Sequence, residues 1–95
     1  RHHEMTLNLV VPNGEVRFVI YDTRSESESL GVYQQVILSQ ENYCRLTVPP
    51  MLWLGFQGVA RETSIILNIA DTEHQLDEVD RKMLNELNFD WEIDL

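Results

Sequence analysis

The sequence predicts an all-β barrel or sandwich, and three observations carry that prediction. Hydrophobic residues recur with a two-residue period in short runs, turn-forming residues separate the runs, and no helical stretch intervenes among the six runs before residue 71. Met5 to Val11 (MTLNLVV) alternates, with Met5, Leu7, Leu9 and Val11 on one face and Thr6, Asn8 and Val10 on the other. Pro12-Asn13-Gly14-Glu15 then supplies one fixed φ and two residues that tolerate positive φ, which predicts a hairpin into Val16 to Tyr21 (VRFVIY).

Asp22 to Gly31 (DTRSESESLG) is polar and reads as an exposed loop. Val32 to Leu38 is the third expected strand, Ser39 to Asn42 a turn, and Tyr43 to Val48 the fourth strand. Pro49-Pro50 forces an extended corner without ladder donors. Leu52 to Gln57, with Gly55 and Gly58 near its end, is a short strand bounded by tight backbone, and Thr63 to Ala70 is the last. Beyond Asp71, Leu76, Val79, Met83 and Leu87 fall at near-helical spacing, whereas Phe89, Trp91 and Ile93 alternate with acids in a strand-like way.

The 95 residues suffice for one domain with one core, and 43% of them are hydrophobic. Sixteen acids against seven bases give a net charge of -9, a field that repels phosphate backbones and argues against nucleic acid as a partner. The charge is uneven. Residues 71–95 carry a net of -7 and residues 1–70 only -2, which predicts a β body (1–70) followed by an acidic tail (71–95), solvated or packed on the body or a partner subunit. No apolar run has the roughly 20 residues of a membrane span, and the opening RHHEMTLNLVV lacks the order of a signal peptide. A lone cysteine, Cys44, excludes an internal disulfide framework, fits a reducing cytoplasm, and falls in an expected strand as a small core or edge residue.

The chemistry-bearing residues are sparse. His2-His3-Glu4 is the one cluster of potential metal ligands, but adjacent histidines point to opposite faces of a strand and do not share an ion, so no metal is expected. The cluster reads as a frayed terminus or the remnant of a purification tag. Cys44 has no histidine nearby in sequence, and the four glycines build no phosphate loop, so no cofactor is expected either. Asn8, Arg17, Tyr21, Tyr33, Arg45, Trp53 and Asn68 are polar or aromatic strand residues that could line a barrel interior.

The order of motifs adds a resemblance. GEVRFVIYD, the loop opening DTR, GVYQQVILSQEN, RLTVPPMLWLGFQG and LNIAD together resemble the sugar-nucleotide epimerases of the cupin superfamily. The match covers about residues 2 to 71 and is nearest to dTDP-4-dehydrorhamnose 3,5-epimerases and the related dTDP-sugar 3,4-ketoisomerases. The resemblance implies a cupin double-stranded β-helix (a jelly-roll barrel), incomplete here because the family's opening strands precede Arg1, and a homodimer formed through the sheets. The alternative is a fragment whose activity lay in the missing strands. The implied partner is a nucleotide-sugar or another small molecule.

The family's base histidine, oriented by a carboxylate, would fall just before Arg1, and His2 matches the second histidine of its H-x-H pattern. A lysine and an aspartate of its pocket correspond to Leu7 and Phe18. The histidine of P-P-G-x-x-H-G-F corresponds to Leu54, and the neighbourhood of its acid tyrosine to Asp71-Thr72-Glu73. Groups that move protons are thus replaced by groups that do not, so 3,5-epimerase activity is in doubt and no catalytic residue is assigned. A non-catalytic cupin that binds or scaffolds is the competing expectation. The residues expected to contact a bound sugar nucleotide are Thr6, Asn8, Arg17, Tyr21 and Trp53.

Overall fold

A computed structural model describes residues 1–71 and 78–82. Among the described residues six strands form, β1 (Leu7–Asn13), β2 (Val16–Tyr21), β3 (Tyr33–Leu38), β4 (Leu46–Val48), β5 (Trp53–Gly58) and β6 (Ile65–Asn68). They make two antiparallel three-stranded sheets, in the orders β4-β1-β6 and β3-β2-β5. Only the β2–β3 connection stays within a sheet; every other one crosses between them, giving the jelly-roll architecture of a cupin. Among the described residues no helix is long and apolar enough to cross a membrane.

The predicted hairpin does not form. β1 pairs with β4 and β6, and β2 with β3 and β5, so residues 12–15 carry the chain from one sheet to the other. The residues do turn the chain, but where the turn leads depends on pairing outside the segment. Register shifts between Val10 and Asn13, where Pro12 cannot donate to a ladder. Gly14 follows at φ 83°, packed so closely on Ser64 that a Cβ would lie 2.7 Å from the Ser64 Cα.

Alternation dictates the core. Leu7, Leu9 and Val11 of β1 face Val16 and Phe18 of β2 across the sheet interface, joined by Met5, Leu38 and Val48. Phe18 has no exposed surface at all. Burying each such side chain contributes about 1.5–3 kcal/mol. The fourth strand is shorter than expected, and Tyr43 and Cys44 lie before it, exposed rather than in a core or ladder.

The polar loop after β2 is organised from within. Asp22 is buried and accepts hydrogen bonds from the Arg24 backbone N–H and guanidinium and from the Ser27 and Ser29 hydroxyls. The Arg24 guanidinium, then the two hydroxyls, hold this carboxyl well below the usual carboxylate range. The loop's serines thus turn towards an acid that the alternation placed at the end of β2. The helical spacing of Leu76, Met83 and Leu87, the alternation of Phe89, Trp91 and Ile93, and His74 lie outside the described residues.

Candidate active site

A cavity of about 510 Å³ is lined by residues of both sheets and of segments 1–2 and 79–82. Its aromatic end is built by strand register. Tyr33 and Trp53 flank Tyr21 as its partners on β3 and β5, and the two tyrosine rings stack with centroids 4.1 Å apart. The Trp53 indole N–H donates to the Thr23 hydroxyl at 3.1 Å.

Residues 1–4 and 78–82 close this end. His3 N–H donates to the Glu78 carbonyl, and Asp80 N–H to that of Arg1, each at 2.8 Å, a short antiparallel pairing around the bridge between His2 and Val79. The His2 carbonyl accepts a further bond from Met51 N–H at 2.7 Å, and Met51 adopts φ 69°. That left-handed conformation, costly for a side chain with a Cβ, follows directly from Pro49-Pro50 and stands where the resembled motif has glycine. These backbone hydrogen bonds fix the N-terminal segment in place; it is not frayed.

Glu78 is the hub. It is only 8% exposed. One carboxylate oxygen accepts the backbone N–H groups of Glu4 and Met5, and the other lies 2.5 Å from His2 Nδ1. Burial pushes its pKa up, but the bonds from Glu4, His2 and Met5 outweigh burial and hold it at about 2. An ionised carboxylate at Nδ1 requires the proton on that nitrogen, which leaves Nε2 of the neutral ring as the acceptor. His3 pairs separately, its Nε2 lying 2.9 Å from Asp80 Oδ2, and Arg1 Nε reaches the same oxygen at 3.0 Å. The His3 and Arg1 hydrogen bonds lower the Asp80 pKa. His2 and His3 thus each have their own carboxylate, and the described residues hold no cluster of three metal-ligating side chains.

Three of the chain's seven cations, Arg1, Arg81 and Lys82, line this end of the cavity. The Arg1 guanidinium and the Lys82 ammonium stand 4.7 and 4.9 Å from the Trp53 ring centroid, within cation–π range. Away from them the wall becomes hydrocarbon, with Leu7, Leu9, Leu54, Phe56 and Ile66. Phe56 shares the Phe18 face but is 61% exposed, so the cavity opens along the β5 edge. Phe18, fully buried, backs the wall and presents no surface to an occupant.

Of the five residues expected to contact ligand, Tyr21 and Trp53 line the cavity. Asn8 and Arg17 occupy the opposite phase of their strands from Leu7, Leu9 and Phe18. Asn8 bonds Thr47 and the Ile69 carbonyl, and Arg17 donates to Gln57. Thr6 N–H donates to Asp71. Arg45, exposed and ahead of β4, is also outside the cavity lining, whereas Tyr33 and Asn68 are part of it. Sequence reasoning missed Glu78, Asp80, Arg81 and Lys82, because net charge alone reads this stretch as solvated. Nothing local marks these residues, since the partners of Glu78 and Asp80, namely Arg1, His2 and His3, lie at the other end of the chain.

Three comparisons agree with this architecture. The profile of the dTDP-4-dehydrorhamnose 3,5-epimerase family matches residues 1–95. The crystal structure of a dTDP sugar isomerase from Desulfovibrio desulfuricans G20 superimposes with a TM-score of 0.92 at 33% identity, covering 96% of this chain and 60% of that one. The probable low-salt glycan biosynthesis epimerase Agl13 of Haloferax volcanii is 25% identical over 85 residues, 88% of this chain and 54% of that protein. The chain thus spans between half and two thirds of the length of these relatives. With the jelly roll, the motif order and the whole-length profile in accord, the chain belongs to the dTDP-4-dehydrorhamnose 3,5-epimerase family.

Proposed function

We propose that the chain forms the catalytic barrel of an isomerase or epimerase of sugar-nucleotide metabolism, acting beside the ketone of a dTDP-linked 4-keto-6-deoxyhexose. One observation carries this reading: the His2 imidazole lines the cavity with its Nδ1 fixed by the buried Glu78 carboxylate. A neutral imidazole so oriented is a base at Nε2. It removes the C3 proton, and the electron pair enters a C3–C4 enediolate whose charge rests on the former ketone oxygen. Return of that proton to C4, with the O3 proton passing to O4, moves the ketone to C3. Delivery to the opposite face of C3 inverts that carbon instead. Tyr21, on the β2 wall and stacked on Tyr33, supplies a hydroxyl for that delivery.

Arg1, Arg81 and Lys82 support a diphosphate at the aromatic end. The exposed Ile65 and Leu67 on the edge strand β6, with Ile69 just beyond it, support a homodimer through the sheets, and the exposed Cys44 thiol suits a cytoplasmic setting. The test is exchange of the C3 hydrogen of dTDP-4-keto-6-deoxyglucose with solvent deuterium, followed by NMR. Exchange that is lost in His2→Asn supports the reading. Loss of the inverted product with exchange retained in Tyr21→Phe assigns the return step to Tyr21.

A second reading, a barrel that binds without turnover, is favoured by Leu7 and Leu54, which put hydrocarbon where the resembled family has ionisable groups. Binding of the same sugar nucleotide without exchange would establish it.

A further inference from the structure

Resting on the reading that a diphosphate enters at the aromatic end, and deepening it, we propose that Thr23 is a positioning residue whose hydroxyl presents the Arg1 guanidinium and the Trp53 indole to that anion. One oxygen joins three parts of the chain. Thr23 Oγ1 accepts the Trp53 indole N–H at 3.1 Å and the Arg1 Nη1–H at 3.2 Å. Arg1 and Trp53 also meet each other, the guanidinium carbon lying 4.7 Å from the ring centroid. The three side chains therefore close a triangle. At its apex stands a hydroxyl oxygen with two acceptor lone pairs, one for each donor.

The polar loop after β2 gives that apex its place. Tyr21 stands in the ladder opposite Trp53, so the chain reaches Thr23 from a defined point. The Asp22 carbonyl accepts the Gly31 N–H and the Asp22 carboxylate accepts the Arg24 N–H, each at 2.9 Å. Both neighbours of Thr23 are thereby tied, which gives the buried Asp22 a use beyond its own loop. The bonds also select orientation. An indole has a single N–H, so the bond to Thr23 decides which way the ring is turned. A guanidinium is planar, and bonds from two of its nitrogens, Nε to Asp80 and Nη1 to Thr23, set its plane. Asp80 holds Arg1 while opposing its charge, whereas the neutral hydroxyl holds it and leaves the charge for an incoming phosphate.

Isothermal titration with dTDP of the protein, Thr23→Val and Thr23→Ser tests this, with the indole N–H resonances followed by NMR and that of Trp53 assigned from Trp53→Phe. Valine keeps the shape of threonine and removes the acceptor, whereas serine keeps the acceptor and removes the methyl. Losing a bond from a charged donor is expected to weaken dTDP binding by roughly 5-fold or more in Thr23→Val, and by less than about 2-fold in Thr23→Ser. The Trp53 indole resonance should move in Thr23→Val and return in Thr23→Ser. A smaller loss in Thr23→Val, or equal weakening in both variants, overturns the inference and leaves the sugar-nucleotide reading intact. Failure of the unaltered protein to bind dTDP overturns both. Should Thr23→Val not fold, exchange of the Trp53 indole N–H with water decides in the unaltered protein: exchange as fast as in free tryptophan overturns the inference, and protection supports it.

Discussion

Gly14 bears the crossing that puts the wall of β1 opposite that of β2, and replacing it by alanine measures what the crossing demands. The residue sits at φ 83°, and an added Cβ would collide with the Ser64 Oγ and lie 2.7 Å from the Ser64 Cα. The hydroxyl cannot swing aside freely, because it accepts the Glu15 N–H at 3.1 Å and donates to the Glu15 carbonyl at 3.0 Å. The Cα is backbone and moves only with the chain. A left-handed non-glycine residue costs about 1–2 kcal/mol, and forced overpacking about 1–3 kcal/mol, so Gly14→Ala should destabilise by about 2–5 kcal/mol. Urea unfolding reads this as a midpoint lowered by more than about 1 M at an unchanged slope. Ser64→Gly removes the collision with the side chain, but the new methyl still meets the backbone at position 64 and the left-handed strain remains. In that background Gly14→Ala should therefore still destabilise, by a smaller amount. A loss below about 1 kcal/mol in the unaltered background would refute the packing argument, since glycine-to-alanine replacement at an unstrained position stabilises by about 0.4–1 kcal/mol.

Two further outcomes follow from the N-terminal clamp. The Glu78 carboxyl titrates at about 2 rather than 4.5. Its folded-state pKa is depressed, so its stabilisation is complete above the ordinary carboxylate range and is lost as pH falls towards 2. Unfolding of the protein and of Glu78→Gln, followed from pH 7 to pH 2, should show the stability difference shrinking across that window, and parallel profiles would contradict the assignment. At Met51, φ 69° reverses the usual order of small residues: Met51→Gly should exceed Met51→Ala in stability by about 1 kcal/mol in thermal or urea unfolding. Alanine proving the more stable would show that the left-handed turn is not maintained.

The fold was legible because alternation is a local signal. Leu7, Leu9 and Val11 are every second residue of a run, and a pleated strand must send them to one side. Strand partners are set elsewhere in the chain, which is why PNGE resembles a hairpin and is a crossing. The same limit governs the site. Tyr21 shares the phase of Arg17, opposite to Phe18, so alternation alone does not tell which of the two lines the cavity; Tyr21 and its ladder partner Trp53 do so at the strand ends that residues 1–4 and 78–82 close. The region from Asp71 onward averages to a net charge of -7, and averaging hides the two acids, Glu78 and Asp80, that each meet a different histidine. A carboxylate such as that of Glu78, buried against a partner 76 residues away, leaves no mark on composition. The three positions that the family resemblance assigns to the pocket, Leu7, Phe18 and Leu54, all belong to the cavity lining, Phe18 as its fully buried backing.

On the proposed reading the charge of -9 sets a problem that the rim solves locally. Screening at physiological salt falls off over about 8 Å, so an approaching diphosphate responds to the charges at the cavity mouth and little to acids farther away. There Arg1, Arg81 and Lys82 are countered by Asp80 and Glu78, each of which already faces an imidazole, a guanidinium or backbone N–H groups. The two carboxylates direct their charge inward, onto the N-terminal segment, while the ammonium of Lys82 rests against the uncharged indole face of Trp53. Orienting the base and admitting an anion are opposed demands on neighbouring groups. Pairing both carboxylates with residues 1–5 meets both demands, because the acids that hold the histidines are the ones an entering phosphate would otherwise meet unpaired.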